Sequence, residues 1–325
     1  MRYIIFGAGA IGGVIGTRLH RAGKDVVLIA RGRHLETIRE HGLRLETPEW
    51  TETFKIQAVS TPAEIQFQKN DVAILGMKSQ DTAAALKDLQ TASGDRIPVV
   101  CTQNGVANER MALRRFENVY AMVVMLPATH LDPGVVQQNS APTPGILDAG
   151  RYPQGTDSTI EAVCADLRDA DFSAQVDTSV MRQKYTKLLM NLANAFQAVC
   201  GYDADGREFL KTAREEALTC YRAAGIDFAT TEEFQGRRGN IIQMKNIGDK
   251  RRFGSSSWQS AARGTGTIEA DWLNGEICLL GRLHGVPTPV NRLLQATANR
   301  AAREKLAPGT ITPDDLRRQL RHQED

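Results

Sequence analysis

No apolar stretch in these 325 residues approaches the roughly 18–20 needed to span a bilayer, so no membrane-spanning role is expected. The start does not read as secretory either. Met1-Arg2 leads at once into a short apolar run and glycines, with no apolar core of signal-peptide length or small-residue cleavage site. Cysteine is scarce: Cys101, Cys164, Cys200, Cys220 and Cys278 are odd in number, scattered and never spaced as CxxC. That excludes a disulfide framework and a zinc site; no metal is expected, and the thiols are expected to be buried in a reducing, cytoplasmic compartment. An excess of one charge is missing too. Lys and Arg number 40 against 38 Asp and Glu, a formal net charge of +2, which gives no basic surface for nucleic acid. Small molecules are the expected partners. The remainder, 42% hydrophobic and 24% charged without low-complexity tracts, is that of a globular protein with length for two domains.

What is present is a rhythm of short β-rich runs and helical stretches. Tyr3-Ile4-Ile5-Phe6 ends in glycine, a helical pattern follows through Val14, Ile15, Leu19 and Ala22, Gly23 stops it, and Val26-Val27-Leu28-Ile29 is a second strand. Strand, glycine turn, helix, strand in about thirty residues is a βαβ unit with parallel strands. Apolar runs recur at 72–75, 99–101 and 119–124, with helical stretches such as 82–89 between them, predicting an open parallel sheet covered on both faces. After about Asp171 the texture turns helical. A stripe through Leu188, Leu189, Leu192 and Phe196 lies in a helical pattern from Thr178 to Ala224, and Gly225 stops it. A long helix is predicted from Thr267 to Leu283, ending at Gly285, another from Asn291 to Glu304, and a short exposed one from Pro313 to Asp325. The fold class expected is α/β: a Rossmann-type parallel-sheet domain at 1–172 and an all-helical domain at 173–325.

Gly7-Ala8-Gly9-Ala10-Ile11-Gly12 is the GxGxxG fingerprint in its required setting, straight after the first strand and opening a helix. Gly7 permits the tight turn, Gly9 lets the backbone approach a pyrophosphate, and Gly12 lets helix pack on strand. The pyrophosphate then meets the free N–H groups of the helix start. The second strand ends in Ala30-Arg31-Gly32-Arg33, where NAD enzymes usually carry an acid for the ribose hydroxyls. A missing acid and a guanidinium able to clamp a further phosphate favour NADPH, with Arg31 as the phosphate ligand.

Ligands of such sheets bind beyond the carboxyl ends of the strands. Lys78 stands there after the run ending in Leu75, and Asn104 after the run ending in Cys101. Farther on, Lys187, Asn191 and Asn194 share one helix face, a pattern that periodicity alone assigns to the polar side of an amphipathic helix. Glu269, with Asp271 and Asn274 after it, is similarly open. His130 reads as a turn residue, and Lys245, Lys250, Arg251 and Arg252 as a solvated charge run.

In order along the chain, the GxGAIG start, Lys78, Gln103-Asn104-Gly105, Lys187-Leu-x-x-Asn191, the serines 255–257, Glu269-x-Asp271-x-x-Asn274-Gly275 and His284-Gly285-Val286-Pro287-Thr288-Pro289 resemble the ketopantoate reductase family over nearly the whole length. The resemblance implies reduction of a 2-oxo acid to the 2-hydroxy acid with NADPH, in the route to pantothenate and coenzyme A. It implies Lys187 as general acid, polarising the ketone and donating a proton as hydride arrives. Glu269 holds the substrate hydroxyl and orients the lysine; Asn191, Asn194 and Ser257 position the substrate; Asn104 and Lys78 lie near the nicotinamide, between cofactor and substrate. Desolvation is expected to lower the lysine pKa, with a neighbouring carboxylate opposing.

The sequence departs from the family near the substrate. Ser255-Ser256-Ser257 runs into Trp258-Gln259-Ser260 without the usual acid. Counting back from Glu269 selects Ser257 as the carboxylate ligand, whereas aligning the glutamine selects Ser256. Asn194 stands one place before the family's second asparagine, Leu126-Pro127-Ala128-Thr129-His130 lacks the usual run of small hydroxyl residues, and Ala261 to Gly266 is glycine-rich where a basic stretch is usual. Two alternatives therefore stand beside ketopantoate reduction: a paralogous reductase of another 2-oxo acid or an opine-type dehydrogenase, and a nucleotide sensor without turnover. The Lys187 and Glu269 pair speaks against the sensor. A homodimer is the default assembly.

Overall fold

The computed structural model describes residues 1–249, 254–264 and 266–321. Contacts divide them into two compact units. The first holds Met1–Asn104, Asn108–Lys184 and the described residues of 230–252; the second holds Gly105–Ala107, Tyr185–Ala229 and the described residues from 254 on.

The first unit is built on a seven-stranded sheet. Its elements in chain order are β1 (Arg2–Phe6), α1 (Ala10–Arg21), β2 (Asp25–Ile29), α2 (Gly32–His41), β3 (Leu43–Glu46), β4 (Thr51–Phe54), β5 (Gln57–Val59), β6 (Asp71–Leu75), α3 (Ser79–Ser93), β7 (Val99–Cys101), α4 (Asn108–Leu113), β8 (Val119–Met125), β9 (Ala128–Thr129), β10 (Val135–Gln138), β11 (Ile146–Arg151) and α5 (Ser158–Asp169). The strand order is β11-β8-β7-β6-β1-β2-β5. Six strands run parallel, and β11 closes the β8 edge antiparallel, so the sheet is mixed at one edge. The residues of β6 are buried throughout, as a strand covered on both faces requires.

A second, four-stranded sheet in the order β4-β3-β10-β9 belongs to the same unit and was not expected. It explains α1. That helix contacts β1 and β2 on one side and β3, β9 and β10 on the other, and all its residues from Gly12 to Leu19 are buried. A helix enclosed between two sheets buries residues all round rather than along one stripe, and the one charge buried in this span, Arg18, is met by Gln138 (2.8 Å) and Asp171 (2.9 Å). Glycines set the approach: a Cβ on Gly16 would lie 2.9 Å from Leu28, and one on Gly13 2.7 Å from Val136.

The expected linear division at 172/173 differs from the contacts. The helix α6 (Val180–Asn191) crosses from one unit to the other after Lys184, and the chain returns to the first unit with α9 (Thr231–Arg238), after α7 (Ala193–Cys200) and α8 (Arg207–Ala223). The return is chemically fixed. Arg237 forks onto buried Asp148 with two hydrogen bonds of 2.6 Å, and backbone bonds join Lys245 to Asn139 and Ala141 to Gln243. In the charge run, half-exposed Lys245 lies 3.9 Å from Glu49; Lys250, Arg251 and Arg252 lie outside the described residues.

The second unit contains the rest of α6, α7, α8, α10 (Ser256–Ala262), α11 (Asn274–His284), α12 (Pro289–Arg303) and α13 (Pro313–Arg321), and no strand among the described residues. The helical pattern predicted over 178–224 is three helices. Leu192 separates α6 from α7, and Gly201, at φ +90°, ends α7 in a conformation that only glycine adopts freely. Buried Glu216 on α8 caps α12, accepting from the backbone N–H of Val290 (2.8 Å) and Asn291 (3.0 Å). Burial pushes its carboxyl pKa up despite these donors. All five cysteines are buried, as expected.

Candidate active site

In the first unit the strand order reverses at β1, which has β2 on one side and β6 on the other, so the crevice beyond their carboxyl ends is where a dinucleotide fits. Three glycines meet there backbone to backbone. Gly7, at φ +99°, would drive a Cβ to 2.6 Å from the Met77 nitrogen, and a Cβ on Gly76 would lie 2.6 Å from the Gly7 oxygen and 2.9 Å from the Gly12 Cα. Gly9 behaves differently: a Cβ there meets nothing within 4 Å. The protein itself does not demand glycine at that point, whereas a pyrophosphate laid against the backbone does. The amides of Gly7 and Ala8 both bond to the Ile29 oxygen, whereas those opening α1 have no partner inside the helix. No acidic residue stands in the first turn to repel a phosphate. These residues fit a nicotinamide dinucleotide. Arg31 is the N-cap of α2; its side chain is 84% exposed and lies 3.3 Å from Asp81.

Beyond β6 and β7, Lys78 caps α3 and Asn104 follows Gln103. The two turns are welded by buried polar side chains that sequence reasoning missed. Asn108 donates to Ser79 Oγ (3.1 Å) and accepts from Thr82 (2.8 Å), Gln103 donates to Thr82 (3.3 Å), and Asn108 also reaches the Asn104 oxygen (3.4 Å). Beneath them is a buried ion pair. Lys184 Nζ lies 2.6 Å from Glu109 Oε1, with 3% and 0% of the side chains exposed, and donates to the carbonyls of Gln103 (3.0 Å) and Met122 (3.3 Å). Lys184 therefore holds the loop that carries Asn104. Its only trace in the sequence is a charge three residues before Lys187, among the polar neighbours Arg182, Gln183 and Thr186.

In the second unit Lys187 is half-buried on α6, Asn191 is that helix's last residue, and Asn194 is buried in α7. The expected helix from Thr267 to Leu283 is two pieces. Glu269–Trp272 is a 3-10 turn, and α11 begins only at Asn274, after Leu273 leaves helical geometry at φ −114°, ψ −86°. The break gives the motif's three polar residues different tasks. Glu269 is buried at 4% exposure. Asp271 accepts from Gln295 (2.7 Å) and Asn299 (2.6 Å), tying the turn to α12. Fully buried Asn274 donates to the Leu192 oxygen (3.3 Å) and to Asn291 Oδ1 (3.0 Å). That carbonyl stands at the junction of α6 and α7, next to Asn191. The two motifs, more than seventy residues apart in sequence, are thus joined by one hydrogen bond.

Around them, Asn191 Oδ1 and Gln259 Nε2 are buried atoms without a hydrogen-bond partner among the described residues. Buried polar atoms are normally paired, and a bound ligand can supply the partners these two lack. Ser255 caps α10 by accepting from the Trp258 N–H (3.3 Å), Ser256 opens the helix, and Ser257 is buried within it. His130 bonds to the Val135 oxygen across its turn at 2.9 Å, the turn role expected of it.

The sequence matches the model of the family described as ketopantoate reductase PanE/ApbA over residues 3–154, and that of its C-terminal domain over residues 179–302. A 2-dehydropantoate 2-reductase of Pyrococcus horikoshii is 30% identical over 318 residues, covering 95% of this chain and all of the relative. The crystal structure of a PanE/ApbA family ketopantoate reductase from Ralstonia eutropha JMP134 superposes with a TM-score of 0.79 at 30% identity, over 94% of this chain and 99% of the other. A D-mandelate dehydrogenase in ternary complex with NADH and anilino(oxo)acetate shares the fold at 22% identity and a TM-score of 0.81, over 94% of this chain and 99% of that one. With both halves matched, the glycine cradle intact and the lysine and glutamate motifs in one helical unit, the chain belongs to the ketopantoate reductase family.

Proposed function

We propose that the protein reduces 2-dehydropantoate to pantoate with NADPH, Lys187 acting as the general acid. The observation that carries this reading is the Asn274–Leu192 hydrogen bond, which fastens the Glu269 segment to the end of the helix bearing Lys187 and Asn191. When bound, the reduced nicotinamide supplies a hydride to the carbonyl carbon. The Lys187 ammonium polarises the ketone and gives its proton to the oxygen as negative charge develops there. The product hydroxyl leaves with that proton, and solvent recharges the amine. Glu269, held out of water, accepts the substrate's own hydroxyl and orients the lysine. Asn191, at the end of α6, and Asn194, in α7, position the substrate, and Ser257 binds the carboxylate. Gly7, Ala8, Gly9, Ala10, Ile11 and Gly12 hold the pyrophosphate, while Lys78 and Asn104 hold the nicotinamide end.

For the cofactor, two features support NADPH over NADH. No acid stands at the end of β2 to take the ribose hydroxyls, and the exposed Arg31 guanidinium is open to a 2′-phosphate that displaces Asp81.

Lys187→Ala tests the assignment of the acid. Turnover of ketopantoate is expected to fall by roughly 10²–10⁴-fold, the usual contribution of a positioned acid, while the NADPH dissociation constant stays within about twofold. Unchanged turnover would remove Lys187 from its role.

A further inference from the structure

His34 lies in the first turn of α2, three residues after Arg31, and was not singled out by the sequence. Its two ring nitrogens have unequal partners. The Gly134 N–H donates to Nδ1 at 2.9 Å, so Nδ1 carries no proton. Nε2 therefore holds the proton and donates it to the Ala8 carbonyl at 2.7 Å. The ring packs against His130 with centroids 4.2 Å apart and the planes tilted by 47°, and His130 is itself anchored to the Val135 oxygen. Burial and the second histidine push the His34 pKa down to about 4, so this neutral tautomer persists at neutral pH.

Ala8 lies in the middle of the glycine turn, and its carbonyl shares a peptide plane with the Gly9 N–H. In a trans peptide the two point in opposite directions, so gripping the oxygen from one side aims the N–H to the other. Gly9 is the residue whose Cβ position is open space, where the pyrophosphate reading places the anion. We propose that His34 is a positioning residue for the dinucleotide: it clamps the Ala8 carbonyl so that the Gly9 N–H is presented to the pyrophosphate before cofactor arrives. The gain is preorganisation, since a peptide free to rotate would have to be ordered on binding. The inference rests on the cofactor reading above and adds a residue to it. Because pyrophosphate is common to NADPH and NADH, His34 affects both alike, whereas Arg31 acts only through the 2′-phosphate.

The test measures dissociation constants for NADPH and NADH by fluorescence titration on wild type, His34→Leu, His34→Gln and Arg31→Ala, with the melting temperature of each. His34→Leu removes the donor at similar size, whereas His34→Gln retains an amide N–H for Ala8. The expected result is that His34→Leu weakens both cofactors by the same factor, about tenfold, or about 1.4 kcal/mol. His34→Gln recovers most of that loss, and Arg31→Ala weakens NADPH alone. A lowered melting temperature with unchanged dissociation constants in either His34 variant would make the residue merely structural and overturn the proposal. A loss confined to NADPH would overturn it as well. Failure of the wild type to bind either nucleotide would overturn the cofactor reading, and this inference with it.

Discussion

A lysine and a glutamate enclosed together, as Lys184 and Glu109 are, have left water for each other and for two carbonyls. Such pairs add little net stability, yet removing one partner strands the other as an uncompensated charge. Lys184→Met is therefore expected to lower unfolding stability by about 3–5 kcal/mol in urea titration, and a second change, Glu109→Leu, to restore most of it. A loss below about 1 kcal/mol would show that the pair is not buried as described. At this scale the sequence was only partly readable. Lys187, Glu269 and Asn191 were recognisable because their types and order resemble a family. His34, Lys184 and Glu109 were not, since spacing along a chain does not tell which charged or titratable groups the fold will press together across tens of residues. Ser256 and Ser257 both lie in the first turn of α10, and the burial of Ser257 favours it as the carboxylate ligand.

The glycine turn linking β1 to α1 separates two demands that a motif merges. Gly76 and Gly7 are close-packed backbone, where an added methyl has no flexible side chain to push aside. Gly9 is open until ligand arrives. Gly76→Ala should cost roughly 1–3 kcal/mol of stability through overpacking and lose nucleotide binding as the turn shifts. Gly9→Ala should melt within about a degree of wild type and still bind nucleotide at least tenfold more weakly, a steric clash of about 1.4 kcal/mol or more. Thermal denaturation with cofactor titration separates the two; a Gly9→Ala protein that binds normally would contradict the placement of the pyrophosphate. Elements with strong local signals were legible, among them β1, α1, β2, β6, β7 and β8. Those fixed by tertiary contacts were not. The four-stranded sheet is assembled from segments as far apart as β3 and β10, and Leu273 breaks a helix at a residue type that usually continues one.

For the whole molecule, composition and the first strand-turn-helix were enough to expect a Rossmann-type unit followed by helices. The return of α9 to the first unit was invisible because it depends on Arg237 finding Asp148, 89 residues away. Cofactor choice belongs to this scale as well, since Arg31 and Asp81 come from α2 and α3 on different parts of the chain. The most direct measurement is oxidation of NADPH by the purified protein in the presence of ketopantoate, followed by the absorbance of the reduced nicotinamide, with NADH in parallel. The expected kcat/KM is about 10⁴ M⁻¹s⁻¹ or more with NADPH and lower with NADH. Absence of turnover with NADPH bound, or faster turnover with NADH, would contradict it.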